Sequence, residues 1–204
     1  ALDGNGDPIR PVGLYYEAGS MDNTADIFLY SDGTNPNQEV IGMYVTNTQN
    51  STFTNSCYID VYCKGIGAYY NGVNVTNTGD VATTADNAYG LFFKGGTSSS
   101  SGTITVGGQG SIGVVSNGAG ATCENIGSIV VNGSGAIGMI ATDGGEARLG
   151  ATSVATGTIT VNDGYGAVAD GNGSALNLNG GSIQELTSTG KTGAVASNGG
   201  TVNL

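Results

Sequence analysis

The chain has 204 residues, room for one domain, and carries 38 glycines and three cysteines. Five Lys and Arg against sixteen Asp and Glu leave a net charge of −11, with no histidine, so phosphate backbones and anionic membranes would repel it and the commonest general base is missing. No run of about 20 apolar residues could span a bilayer as a helix, and 38% hydrophobic residues against 10% charged, rich in Val, Ile and Tyr, favour an ordered β protein over disorder.

One short block recurs along the chain: a bulky apolar residue, a glycine, then two or three more apolar residues. Its clearest copy is Ala136-Ile137-Gly138-Met139-Ile140-Ala141. Its glycines are Gly13, Gly42, Gly67, Gly90, Gly113, Gly138, Gly166 and Gly193, with gaps of 29, 25, 23, 23, 25, 28 and 27 residues. A period in the twenties marks a solenoid, whose single turn cannot bury its own core and must stack on neighbours.

In chain order, Leu2-Asp3-Gly4-Asn5-Gly6 parallels Ala169-Asp170-Gly171-Asn172-Gly173, so the chain opens in mid-turn. Asp3, Asn5 and Asp7 have the opening spacing of a calcium loop, yet Leu14 stands where a bidentate Glu is needed. A turn is the preferred reading, no cofactor is expected, and calcium here is the exception the spacing allows. Tyr30 to Asn37, dense in turn formers and holding Pro36, reads as a loop insertion near 30–39, and residues 1–64 are less regular than the rest. Cys57, Ile59, Val61 and Cys63 would share one strand face, with the two cysteines as free core thiols. Cys123 has no evident partner.

From Gly67 onward each repeat reads as three short strands joined by Gly or Asn turns. The glycine block is one. A second precedes it, as in Val73-Asn74-Val75, Ile104-Thr105-Val106, Ile129-Val130-Val131, Ile159-Thr160-Val161 and Ile183. A third follows it, as in Ala147-Arg148-Leu149, Ala175-Leu176-Asn177-Leu178 and Thr201-Val202-Asn203-Leu204. The expected fold is all-β: a single three-sided parallel β-helix over 1–204, of about eight coils stacked about 4.8 Å apart into a rod of some 35 to 40 Å.

Counting from the glycine exposes columns. Position +4 is polar throughout, and position +5, with Ala18, Asn47, Gly72, Gly95, Gly118, Asp143, Gly171 and Asn198, is rich in residues that tolerate positive φ, as a corner requires. Position +1 holds Leu14, Met43, Ala68, Leu91, Val114, Met139, Ala167 and Ala194; position +2 holds Tyr15, Tyr44, Tyr69, Phe92, Val115, Ile140, Val168 and Val195. Adjacent strand positions face opposite sides, so both faces of this sheet are apolar. Either a bulge at the glycine turns both columns inward, a segment from residues 1–66 covers the stripe, or the +2 column is a lateral interface.

Segments such as Gly157-Thr158-Ile159-Thr160-Val161-Asn162-Asp163-Gly164-Tyr165-Gly166-Ala167-Val168-Ala169 and Gly127 to Ala141 resemble the repeats of autotransporter passenger regions, large bacterial surface and secreted proteins. The likeness covers residues 65–204 well and 1–64 weakly. It implies a right-handed β-helix, export to the cell surface or the extracellular space, and adhesive, aggregating or biofilm roles. No outer-membrane barrel or protease module accompanies it.

The preferred functional expectation is a non-enzymatic adhesin segment or fibre subunit. Its partners would be other copies of itself, lateral or head-to-tail, or a ligand on a host or neighbouring cell, with no nucleic acid and no membrane span. Tyr15, Tyr44, Tyr69, Phe92, Val115, Ile140, Val168 and Val195 would form the lateral face, and Leu204, ending a strand without a polar cap, a terminal contact that a longer parent chain would also explain. The alternative is a polysaccharide lyase or hydrolase, for which Asp143, Glu146 and Arg148 are the nearest cluster, more simply read as a surface ion pair. A minor alternative is ice binding through Thr103-Ile104-Thr105 and Thr158-Ile159-Thr160, interrupted by Ser128-Ile129-Val130. The sequons at Asn50, Asn74, Asn132 and Asn172 are given no role.

Overall fold

A computed structural model describes residues 12–17, 19–30, 39–46, 52–151, 156–186 and 192–204. Every element among them is a strand. The first coil comprises β1 (Val12–Tyr16), β2 (Met21–Asn23) and β3 (Ile27–Leu29), and the second β4 (Val40–Thr46), β5 (Thr52–Asn55) and β6 (Ile59–Val61). The third has β7 (Gly65–Asn71), β8 (Asn74–Asn77) and β9 (Val81–Thr83). In the fourth and fifth, one long strand covers two sides: β10 (Tyr89–Ser100) precedes β11 (Ile104–Val106), and β12 (Ile112–Asn125) precedes β13 (Ser128–Val131). Then come β14 (Ile137–Thr142), β15 (Glu146–Leu149) and β16 (Thr158–Val161), followed by β17 (Tyr165–Asp170), β18 (Ala175–Asn177) and β19 (Ser182–Glu185). An eighth coil begins with β20 (Thr192–Ser197) and β21 (Thr201–Asn203).

All pairings are parallel, each strand meeting its equivalent in the next coil. The glycine blocks form one continuous side in the order β1-β4-β7-β10-β12-β14-β17-β20, while β3, β6, β9, β11, β13, β16 and β19 form a separate sheet. The chain is therefore a three-sided parallel β-solenoid of about seven full turns, with eight strands on its glycine side. The second side joins the first through the bends in β10 and β12, where register shifts between Lys94 and Gly96. At the corner after the glycine strand, Gly72, Gly95, Gly118, Asp143, Gly171 and Asn198 all have φ between +48° and +91°, the backbone reason anticipated for position +5. Ala18 and Asn47, like the expected insertion at 31–38, lie outside the described residues.

One strand assignment is corrected. Asn74 and Val75 belong to β8, which follows the glycine strand and pairs with the second half of β10 (Val75 with Ser98). The strand preceding Gly90 is β9, whose Val81 aligns with Ile104. Both runs are short and carry β-branched residues at alternate positions, Val73 and Val75 in one and Val81 and Thr83 in the other, so composition alone could not order them around the coil.

The core is a column of small layers. Ile and Val of the third side, such as Ile59, Val61, Ile104, Val106, Ile129, Val131, Ile159 and Val161, are almost fully buried. They face the glycine strands and leave no depth for a side chain there. A Cβ added at Gly113 would sit 2.6 Å from the Gly138 carbonyl oxygen and 2.9 Å from Val106 Cγ2. The repeat is thus pinned by sterics at a position where only hydrogen fits.

Candidate interaction face

The glycine does more than make room. In β7 the pattern around Gly67 runs half-buried Ile66, buried Gly67, buried Ala68, half-buried Tyr69, buried Tyr70 and half-buried Asn71. Two consecutive residues face inward, as in a bulge, and the glycine is passed over in the register: Ile66 pairs with Tyr89 and Ala68 with Leu91. The bulge therefore turns the glycine and position +1 inward together. Met43, Ala68, Leu91, Val114, Met139 and Ala167 are fully buried. Position +2 stays outside the core, so the bulge turns one apolar column inward and leaves the second on the outer face, where coils five to seven bury it among its neighbours.

A second outward column, missed in the sequence, stands one residue before the glycine: Ile66, Tyr89, Ile112, Ile137 and Tyr165, aligned coil to coil. Together the two columns make the apolar surface of this side. Val115, Ile140 and Val168 pack with Tyr89, Phe92, Ile112, Ile137 and Val195 in a cluster separate from the core. Their low exposures of 3%, 9% and 8% reflect a groove between the −1 and +4 columns. At its C-terminal end the groove has a volume of about 340 Å³, lined by Ile137, Ile140, Tyr165, Val168, Asp170, Val195 and Ser197. Among the described residues no strand lies across this face.

Toward the N-terminal end the +2 column becomes aromatic. Tyr15, Tyr44, Tyr69 and Phe92 stack with ring centroids 5.6, 5.2 and 5.0 Å apart and planes within 14° of parallel. Their faces are spent on each other, so a partner meets a corrugation of ring edges at the strand period. Leu204 stands apart from this surface, 98% exposed after β21.

The other sequence candidates scatter. Asp3, Asn5 and Asp7 lie outside the described residues, and among the described residues no three His, Cys, Asp or Glu side chains gather to hold a metal. Arg148 grips Glu146 with two bonds, Nε to Oε1 at 2.8 Å and Nη2 to Oε2 at 2.9 Å, which holds the Glu146 carboxyl below its ordinary range. Asn177 also donates to Glu146. Asp143 instead sits at the corner and accepts from Asn117. The cluster is thus an ion pair on one strand, with the second carboxylate elsewhere. The pair borders a shallow polar groove of about 340 Å³ on the second side, lined by Thr52, Asn74, Thr76, Thr97, Ser99, Thr122, Glu124 and Arg148 among others. On the third side Thr105 and Thr160 are separated by Val130.

Compared with known proteins, the chain matches no family model, no curated protein and no solved structure at a significant level.

Two polar features escaped sequence reasoning. Inside the corner between the second and third sides, Asn23 Nδ2 donates to Asn55 Oδ1 and Asn55 Nδ2 to Asn77 Oδ1, each at 2.7 Å. Asn77 Nδ2 then reaches Ser100 Oγ at 3.2 Å. Each of these three amides also donates to the carbonyl two residues on, Ala25, Cys57 and Gly79. On the outside of the third side, buried Asp60 accepts from the Tyr58 hydroxyl at 2.9 Å and Thr84 Oγ1 at 3.2 Å. Phe28 packs edge-on to Tyr58, and Tyr30 stacks on Tyr62 at 4.7 Å. Burial and the bond to Asp60 push the Tyr58 phenol up to about 12, and the bond to Asp60 does the same for Tyr62. Cys57, Cys63 and Cys123 are all free.

Proposed function

We propose that this chain is a structural, adhesive β-solenoid of the bacterial cell exterior, working by surface contact through its glycine side. The observation that carries the reading is the pair of outward apolar columns running through consecutive coils. A solenoid side exposed to water is ordinarily polar at its outward positions, and a continuous apolar stripe with a polar border has the make-up of an interface. The ring-edge corrugation repeats at the strand spacing and so suits a partner of the same period, such as a second solenoid laid alongside, whose identical side chains can interlock in a dry seam. Placement outside the cell rests on the resemblance of the repeats to autotransporter passengers.

Sedimentation across a concentration series tests this. The wild-type chain should associate at tens of micromolar, an affinity corresponding to about 6 kcal/mol, and Tyr44→Ser with Tyr69→Ser should shift the equilibrium toward monomer. Protein that stays monomeric at high concentration, unchanged by the double substitution, refutes the self-association form. Electron microscopy separates a fibre subunit, seen as filaments, from an adhesin segment, seen as isolated rods.

A second reading, a carbohydrate-active protein, is favoured by the groove of hydroxyl and amide side chains beside Glu124, Glu146 and Arg148 on the second side. Such a surface offers alternating donors and acceptors to sugar hydroxyls. Release of reducing ends from a glycan panel supports it, and silence across the panel counts against it.

A further inference from the structure

The outward residues of coils four to seven have an internal symmetry. The −1 column reads Tyr89, Ile112, Ile137, Tyr165, the same in both directions. The +2 column reads Phe92, Val115, Ile140, Val168, apolar in both directions. The +4 column reads Lys94, Asn117, Thr142, Asp170, and reversal there exchanges a cation with an anion. Lys94 is exposed and makes no ion pair among the described residues. Asp170 accepts from Ser197 Oγ and Asn198 Nδ2, each at 2.7 Å, which lowers its carboxyl further into the ionised range.

From this we infer that the occupant of the glycine side is a second copy of the same chain, antiparallel, about a two-fold axis lying along the strands between coils five and six. The inference rests on the lateral-face reading and gives it a geometry. A two-fold axis in that direction keeps each column opposite itself and brings coil four against coil seven of the other copy. Tyr89 then meets Tyr165, Ile112 meets Ile137, Phe92 meets Val168, and Lys94 meets Asp170, each contact made twice. Asn117 meets Thr142, a pairing already made within one chain at 2.9 Å.

The parallel alternative, with the two-fold along the rod, sets each coil against itself and exchanges columns −1 with +2, leaving column +4 opposite the corner that precedes the strand. It would take Lys94 and Asp170 away from each other and carry Asp170 toward the corner ahead of β17 that holds Asp163 of the other copy, so the attraction is lost and a repulsion replaces it. Charge thus separates two arrangements that the apolar columns alone would accept. Coils three and eight add Tyr69 against Val195 and Asn71 against Ser197, with no like charges in these columns. Six coils at about 4.8 Å and strands of about 20 Å offer roughly 600 Å² of face per copy, enough for the roughly 1,000 Å² total of a specific interface.

The test is sedimentation equilibrium of the full chain at low salt, up to about 0.5 mM, a range that captures weak dimers. Lys94→Asp and Asp170→Lys should each weaken dimerisation by about tenfold or more, since each creates two like-charge contacts, and the double variant should regain wild-type affinity. A dimer that the single and double variants weaken alike overturns the antiparallel register. Ile137→Lys keeps the two failures apart. If the wild-type chain dimerises, Ile137→Lys abolishes this and the charge swap gives no rescue, the lateral face stands and the register falls. If the wild-type chain is monomeric throughout, or Ile137→Lys leaves its dimer intact, the lateral-face reading falls and takes the register with it.

Discussion

Replacing Asn77 by alanine tests whether the buried asparagine ladder organises the solenoid or merely decorates a corner. Three bonds vanish: the acceptor for Asn55 Nδ2 at 2.7 Å, the donor to the Gly79 carbonyl at 2.8 Å, and the donor to Ser100 Oγ at 3.2 Å. Asn55 keeps its bond to the Cys57 carbonyl, so the unmet groups are one amide hydrogen of Asn55, the carbonyl of the buried Gly79 and the hydroxyl of the buried Ser100. At about 1–3 kcal/mol for each buried orphan, with a small cavity added, the expected loss is about 3–5 kcal/mol. For a chain of this length that is a fall in Tm of roughly 6–20 °C. The converse change is Ser100→Asn. The ladder breaks at Ser100, and Asn125 Oδ1 in the next coil is buried without a partner. An asparagine at 100 can donate to it and restore the run, for a gain of about 1–2 kcal/mol. Thermal melts by circular dichroism, with exposed Thr76→Ala as the control, read both. The ladder argument fails if Asn77→Ala melts with the control, or if Ser100→Asn melts below wild type.

Other consequences are equally direct. Gly113→Ala forces a Cβ against the Gly138 carbonyl oxygen at 2.6 Å and should cost about 3 kcal/mol, whereas Gly193→Ala, whose Cβ meets nothing closer than 3.6 Å, should lie within about 0.5 kcal/mol of wild type by denaturant titration. Tyr70→Phe removes a hydroxyl buried without a partner while keeping the ring stacked on Phe93, so its melting midpoint should stay level or rise, by about 1 kcal/mol at most. The folded chain holds Tyr58 and Tyr62 as phenols up to about 12 against an ordinary 10.0. It therefore keeps protons that the unfolded chain has released, and stability, flat below pH 10 as far as these two groups are concerned, should fall as pH rises from 10 through 12, seen by urea midpoints across that window. A thiol reagent at neutral pH should modify half-exposed Cys57 well before buried Cys123, whose thiol burial pushes up to about 12. Equal rates for the two would contradict the packing.

The coil count and the corners were legible because they rest on steric demands that few residues meet. Only glycine fits opposite Ile59 and Val61 at position 67, and only residues tolerant of positive φ close the next corner, so both columns survive as spacing in the sequence. The asparagine ladder obeys no such fixed spacing. Counted from the preceding glycine, Asn23 and Asn77 stand ten residues on, Asn125 twelve and Asn55 thirteen, since corner lengths differ between coils. Inward asparagines therefore looked like turn residues. The −1 column was hidden for another reason: strict alternation places −1 and +1 on the same side, and only the bulge separates them. The cluster around Asp60 gave a readable signal in Tyr58-Ile59-Asp60-Val61-Tyr62, but its Phe28 and Tyr30 come from another coil.

The bulge also explains why the outward face is apolar in two different chemistries. By placing two consecutive residues inward, it sets the flanking outward positions, −1 and +2, three residues apart and opens a groove between the +2 column and its borders. In coils one to four that column is aromatic and stacked, which contributes about 0.5–1.5 kcal/mol per pair to the solenoid itself, so its apolar character has a reason within one chain. Val115, Ile140 and Val168 have a reason of the same kind, since they are buried within one chain beneath Tyr89, Phe92, Ile112 and Ile137; the covering −1 column, half-buried at Tyr89, Ile112 and Ile137 and exposed at Tyr165, has none. The −1 column of coils four to seven is therefore where a partner explains most, and it lies in the stretch bounded by Lys94 and Asp170. Replacing Tyr44 and Tyr69 should lower stability and association together, whereas Ile112→Thr with Ile137→Thr, both half-buried on the −1 column, should weaken association while moving Tm by no more than about 6 °C. A larger loss of Tm from the isoleucine pair would return the stripe to the fold and leave the interface without its support.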